Sequence, residues 1–144
     1  MTFCTDGRWI LPEPVRSSVL DCCLHDDGEK FDLRVAVVMP DHVHIIFTPL
    51  VDHEATEVCS LAAIMCGIKG SSAHAINKTL GRRGRVWQPE SFDHVVRSSE
   101  GLDAKIQYIL ENPVRRGLVA RWMDYPWLWR KKVVNPFTPV RQGR

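Results

Sequence analysis

The chain has no apolar run of membrane-spanning length. Its N-terminus shows no basic segment leading into an apolar one, so no signal peptide is expected. The five cysteines, Cys4, Cys22, Cys23, Cys59 and Cys66, are odd in number and include no Cys-x-x-Cys pair. Neither a disulfide framework nor a zinc knuckle is expected; reduced thiols in a cytoplasmic protein are. No internal repeat or low-complexity tract occurs. Net charge is nearly absent too, at +2 with a pI of 8.3, which by itself argues for no class of partner. What remains is a 144-residue chain, 44% hydrophobic and 25% charged, large enough for one domain with a sizeable core. Its arginines gather from Arg82 onward, an asymmetry that fits an anionic partner.

Residue spacing sets the elements. Met1–Thr5 reads as a short strand. Val15, Val19, Leu20, Cys23 and Leu24 recur at helical intervals behind Pro12 and Pro14, predicting a helix over Glu13–Leu24. Strands are expected at Phe31–Met39 and His42–Pro49. The stripe Val58, Leu61, Ala62, Met65, Ile68, Ala75 and Ile76 predicts a long helix to Leu80, with Thr56 as a candidate cap and Gly67 and Gly70 weakening its middle. Val86–Gln88 and Phe92–Arg97 read as extended. A last helix spans 99–112 and stops at Pro113. The order β-α-β-β-α-β-α suggests an α+β sandwich of ferredoxin-like type, with an antiparallel sheet of four to five strands and helices on one face. Residues 1–120 form the expected domain; 121–144 form an aromatic and basic tail.

Candidate chemistry begins on the hairpin Val35–Thr48, where two apolar runs flank Met39-Pro40-Asp41. His42 and His44 are two apart on a strand, so both imidazoles share a face. Amid Val, Ile and Phe they need partners: either a shared divalent metal or nearby backbone. On the last helix, Tyr108 is two residues from Ile106 and Leu110, about 200° round the axis and off the apolar stripe. Asn112 lies one turn above it, before Pro113, where its amide oxygen is available for a ligand. The plainer alternative is an exposed Tyr and a capping Asn. Together the two groups make a coherent set, because a phenol oxygen can attack a phosphodiester and a divalent ion, Mg²⁺ or Mn²⁺, can polarise it.

The run Met39-Pro40-Asp41-His42-Val43-His44 resembles the histidine–hydrophobe–histidine signature of the HUH single-strand DNA transposases. Tyr108-Ile109-Leu110-Glu111-Asn112-Pro113-Val114-Arg115-Arg116-Gly117-Leu118-Val119 resembles the tyrosine helix of the REP-associated tyrosine transposases. Trp87-Gln88, Phe92-Asp93-His94 and Arg97 also match in order and spacing, so the resemblance runs to about Trp127. It implies that His42, His44 and Asn112 bind Mg²⁺ or Mn²⁺. Tyr108 would attack a DNA phosphate to leave a 5′-phosphotyrosine and a free 3′-hydroxyl, and that hydroxyl would later reverse the step on another strand. The implied substrate is single-stranded DNA with a hairpin, such as a repetitive extragenic palindrome, in a bacterial, cytoplasmic, nucleoid-associated setting. The chain departs from the pattern at Tyr125-Pro126-Trp127-Leu128-Trp129, which replaces serines frequent after the family's Tyr-Pro-Trp, and at its short lead-in to the first strand.

For DNA contacts the candidates are Lys69 on the long helix, Arg82, Arg83 and Arg85 between glycines, and Arg115 and Arg116 after the tyrosine helix. Each has a solvated alternative. Trp122, Trp127 and Trp129 among Arg121, Arg130, Lys131 and Lys132 suit stacking on unpaired bases, or pinning of the tail to the core. A histidine-triad hydrolase and a two-histidine phosphoesterase both fail at Ile46, where they need His or a hydroxyl. A domesticated, non-catalytic DNA-binding protein remains as the alternative, and a homodimer exchanging helices is possible beside a monomer.

Overall fold

The structure, a computed structural model, describes residues 1–52, 54, 57–96 and 98–132. The candidate cap Thr56, Arg97 and the tail beyond Lys132 lie outside the described residues.

Strand β1 spans Thr2–Cys4 and helix α1 Glu13–Leu24; β2 is Phe31–Val38 and β3 His42–Pro49. A small ribbon, β4 (Val51–Asp52) and β5 (Glu57–Val58), precedes α2, Leu61–Leu80. The chain continues through α3 (Ser99–Leu110), α4 (Asn112–Arg115) and β6 (Leu128–Arg130). The main sheet is antiparallel, in the order β1-β3-β2-β6.

The α+β expectation holds, with a four-stranded antiparallel sheet. α1 and α2 cover one face, over Phe3, Leu33, Ala36, Val38, Val43 and Ile45. α3 packs on the opposite face, where Ile109 and Leu110 meet Val35, Val37 and Met39. The single-face arrangement therefore describes only α1 and α2. β2 serves both faces by alternation, and a register shift between Leu33 and Val35, where Leu33 pairs with Phe47 and Val35 with the adjacent Ile46, exchanges which positions face α1 and α2. The extra residue, Arg34, reverses the alternation of side chains. β3 needs no such device: Val43 and Ile45 face α1 and α2, and His42 and His44 face α3.

Several expected boundaries move. α2 starts at Leu61 because Ser60 caps it, its Oγ accepting the Ala63 N–H at 3.1 Å. Val58 belongs to the ribbon instead of the helical stripe and is exposed. The stretches around residues 87 and 92 contribute isolated bridges, Thr5 to Trp87 and Thr2 to Phe92, and no strand. The fourth strand comes instead from the expected tail. β6 pairs with β2 at Val35–Arg130, Ala36–Trp129 and Val37–Leu128, so the domain extends past residue 120.

Tyr125 fastens that segment. Its ring is buried and its hydroxyl donates to the Val38 carbonyl at 2.5 Å. Tyr125→Phe removes one buried hydrogen bond and leaves a buried carbonyl short of a donor. A loss of about 1–2 kcal/mol is expected, read as a lower urea midpoint with an unchanged slope.

Candidate functional site

Pro113 lacks an N–H and its ring obstructs the carbonyl four residues back, so the helical ladder breaks just after Leu110. Asn112 therefore opens α4 instead of ending α3 as expected. Burial of Ile109 and Leu110 anchors the break against the sheet and carries Asn112, itself buried, onto the histidine face. There Asn112 Nδ2 lies 3.5 Å from His42 Nε2. The His42 and His44 rings are 4.8 Å apart, edge to face.

Each imidazole is held through its Nδ1. Asp41 Oδ1 accepts from His42 Nδ1 at 2.7 Å, and Arg8 Nε donates to Asp41 Oδ2 at 2.9 Å. A carboxylate only accepts, so His42 carries its proton on Nδ1 and keeps the Nε2 lone pair. His44 Nδ1 is 2.8 Å from the Thr2 hydroxyl, which β1 sets directly across from it. Burial depresses both imidazoles, His44 to about 3, and the Asp41 hydrogen bond only partly offsets this for His42. Burial alone would raise Asp41, but the hydrogen bonds from His42 and Arg8 outweigh it and hold the carboxyl low. The unfolded chain thus binds more protons than the folded one below pH of about 6.5. Stability of the metal-free protein is therefore expected to be full above that pH and to fall on acidification. The urea midpoint followed from pH 7.5 to 5 checks this, and a midpoint unchanged over that range would contradict it.

Two neutral imidazoles with outer partners fixed on Nδ1, facing an amide, form a donor set that fits a divalent cation. Turning the Asn112 amide over puts its oxygen where Nδ2 now stands, beside the His42 Nε2 lone pair, with the His44 ring next to them. Among the described residues no group of three or more His, Cys, Asp or Glu side chains gathers as a metal site, so the candidate centre contains no carboxylate donor.

Tyr108 is 54% exposed, off the core stripe. The Arg115 guanidinium stacks 3.9 Å from its ring centroid and the Lys105 ammonium lies at 5.6 Å. Tyr108 and His44 line one groove of about 520 Å³, together with Lys105 and Phe92. The geometry thus gathers Tyr108, His42, His44 and Asn112 on a single face, with Arg115 and Arg116 exposed beside them.

The other basic candidates lie elsewhere. Lys69 turns its ammonium onto the Gln88 carbonyl at 2.7 Å, the Ser91 hydroxyl at 3.1 Å and the Pro89 carbonyl at 3.4 Å, tying that loop to α2. Arg82 donates to Asn77 Oδ1 and stacks 4.5 Å from the Trp9 ring centroid. Arg83 and Arg85 are exposed. Sequence reasoning treated Asp41 only as a turn residue and overlooked Thr2 and Arg8. A carboxylate directly before His-x-His was a usable signal for Asp41. Thr2 depends on strand register, and Arg8 on a left-handed backbone at φ 57°, which non-glycine residues seldom adopt.

Comparison with known proteins bears on the family and the fold. The family described as "Transposase IS200 like" matches residues 16–112. A REP-associated tyrosine transposase of Escherichia coli (strain K12) is 28% identical over 116 residues, covering 76% of this chain and 61% of that protein. A putative REP-associated tyrosine transposase of Haemophilus influenzae is 25% identical, covering 78% and 64%. This chain therefore spans about three-fifths of the length of the curated relatives it matches. A solved REP-associated tyrosine transposase bound to a REP hairpin shares the fold, with a TM-score of 0.67 and 24% identity over 88% of this chain and 72% of the other. The family match takes in well over half of the chain, from residue 16 to residue 112, and on that ground the chain belongs to the IS200-like transposases.

Proposed function

We propose that the chain is a metal-dependent nickase and strand-transferase for single-stranded DNA carrying a hairpin, acting through a 5′-phosphotyrosine. The observation that carries this is the meeting of α3 and α4 with β3: Tyr108 and His44 share a groove, and Asn112 contacts His42. The named relatives point to hairpins of the repetitive extragenic type as the first substrate to try.

His42, His44 and Asn112 would hold Mg²⁺ or Mn²⁺, which when bound supplies Lewis-acid polarisation of the scissile phosphate. The chain's own groups do the rest. Tyr108 Oη attacks phosphorus, the P–O3′ bond breaks, and the 3′-hydroxyl leaves with a proton. Arg115 and Lys105 beside the phenol, and Arg116 near His42, place positive charge where the phosphate must sit. Attack by a 3′-hydroxyl on the phosphotyrosine reverses the step and joins strands without a high-energy cofactor. Among the described residues no helix is long and apolar enough to cross a membrane.

The test is incubation with end-labelled single-stranded hairpin DNA and Mn²⁺, followed by denaturing electrophoresis. A protein–DNA adduct is expected with metal and none with chelator. Salt-sensitive binding with no adduct under any divalent metal would instead identify a non-catalytic DNA-binding protein.

A further inference from the structure

The groove that holds Tyr108 and His44 extends away from the phenol along an apolar wall. Ile46, Phe47, Leu102 and Val95 line it, and Phe92 stands at its rim. Phe92 is 62% exposed and Val95 64%, although both are large apolar side chains. Phe92 is nevertheless held in place. Its N–H donates to the Thr2 carbonyl and its carbonyl accepts the Thr2 N–H, both at 2.8 Å. The same Thr2 bonds His44 through its hydroxyl. An aromatic ring is therefore presented to solvent on backbone fixed to the partner of a candidate metal ligand. Among the described residues it stays 62% exposed, and Lys105 supplies a cation on the same groove.

We propose that this groove is a pocket for one unpaired nucleobase, that of a nucleotide flanking the phosphate Tyr108 attacks, with Phe92 as its stacking platform. The inference rests on the function proposed above and names how that site holds its substrate. A base offers a flat apolar face to Phe92 and Val95, while its phosphate, one sugar away, falls toward Lys105 and Tyr108. The groove's volume of about 520 Å³ lies within the range that encloses small organic ligands. Stacking on an aromatic ring tolerates any base, so Phe92 would supply affinity and placement of the cleaved phosphate more than sequence choice.

The experiment measures binding of single-stranded hairpin DNA in the Tyr108→Phe background, where no cleavage intervenes. Phe92→Ala is expected to weaken binding about five- to 150-fold, the range for loss of one stacked base, and Phe92→Trp to keep it. The unpaired nucleotides flanking the mapped cleavage position are then made abasic in turn. At one of them the Phe92 protein should lose affinity by a similar factor, while the Phe92→Ala protein loses little further. Two flat arms would overturn the pocket, as would losses from protein and DNA changes that simply multiply. The abasic series on unmutated Phe92 decides the matter even if a variant folds poorly. A parent chain that forms adduct while both arms stay flat removes the pocket alone. A parent chain forming no adduct removes the function beneath it, and the pocket with it.

Discussion

Tyr108→Phe is expected to abolish the covalent DNA adduct, a fall of about three orders of magnitude or more, and to leave hairpin binding within a few fold. The change deletes one oxygen from a ring that is already 54% exposed. It breaks no hydrogen bond that holds the fold, because the contact from Arg115 to this residue goes to its backbone carbonyl. The guanidinium keeps its stacking surface, and stability should stay within about 0.5 kcal/mol of the parent. Binding and chemistry are thereby separated. In the proposed reaction DNA would be held by charge and stacking, which Phe preserves, whereas a bond to phosphorus would require the phenol oxygen. Denaturing electrophoresis reads the adduct and fluorescence anisotropy the binding. Adduct persisting in the Phe variant would place the nucleophile elsewhere, with Tyr125 the remaining tyrosine. That residue is buried, its hydroxyl is committed to Val38, and burial pushes it up to about 12.

The elements legible in the sequence were those with local signals. α1 begins and ends where helical spacing, early prolines and Asp26-Asp27-Gly28 put it. The hairpin of β2 and β3 follows from two apolar runs around Pro40-Asp41, and α3 from its stripe and Ser98, whose hydroxyl accepts the Gly101 N–H at 3.0 Å. β6 was illegible because Leu128-Trp129-Arg130 is short, amphipathic and followed by Lys131 and Lys132. Its strand character comes from pairing with Val35–Val37, nearly a hundred positions away. Lys69 shows the same limit. A lysine on an exposed helix reads as a cation for solvent or phosphate, and only the path of residues 88–91 over α2 occupies its three protons. Within the site, the shared face of His42 and His44 follows from strand alternation, and the exposure of Tyr108 from the helical period. That Asn112 reaches His42 does not follow from spacing. It needs α3 on the face opposite α1 and α2, a choice made by burial of Ile109 and Leu110 against β2.

His42→Ala should remove the metal dependence altogether. Three uncharged donors, two imidazoles and an amide, offer a cation no compensating charge, and Lys105, Arg115 and Arg116 add positive potential close by. Mn²⁺ is thus expected to bind weakly to the protein alone and more tightly once a phosphodiester brings its negative charge. By linkage, Mn²⁺ must raise DNA affinity by the same factor. A set this sparse does not survive losing one donor, so His42→Ala should show no Mn²⁺-dependent rise in Tm and no metal effect on hairpin affinity in the Tyr108→Phe background. Asp41→Ala keeps all three donors but frees His42 to turn and to shift its proton, so it should weaken Mn²⁺ by about 10- to 100-fold. Arg8→Ala, which leaves Asp41 its bond to His42, should cost less. Thermal shift in Mn²⁺ titrations, with and without DNA, ranks the three variants. A His42→Ala protein that answers Mn²⁺ as the parent does would mean the cation sits away from the paired histidines. The docking of α3 and α4 over β3 would then serve to position DNA alone.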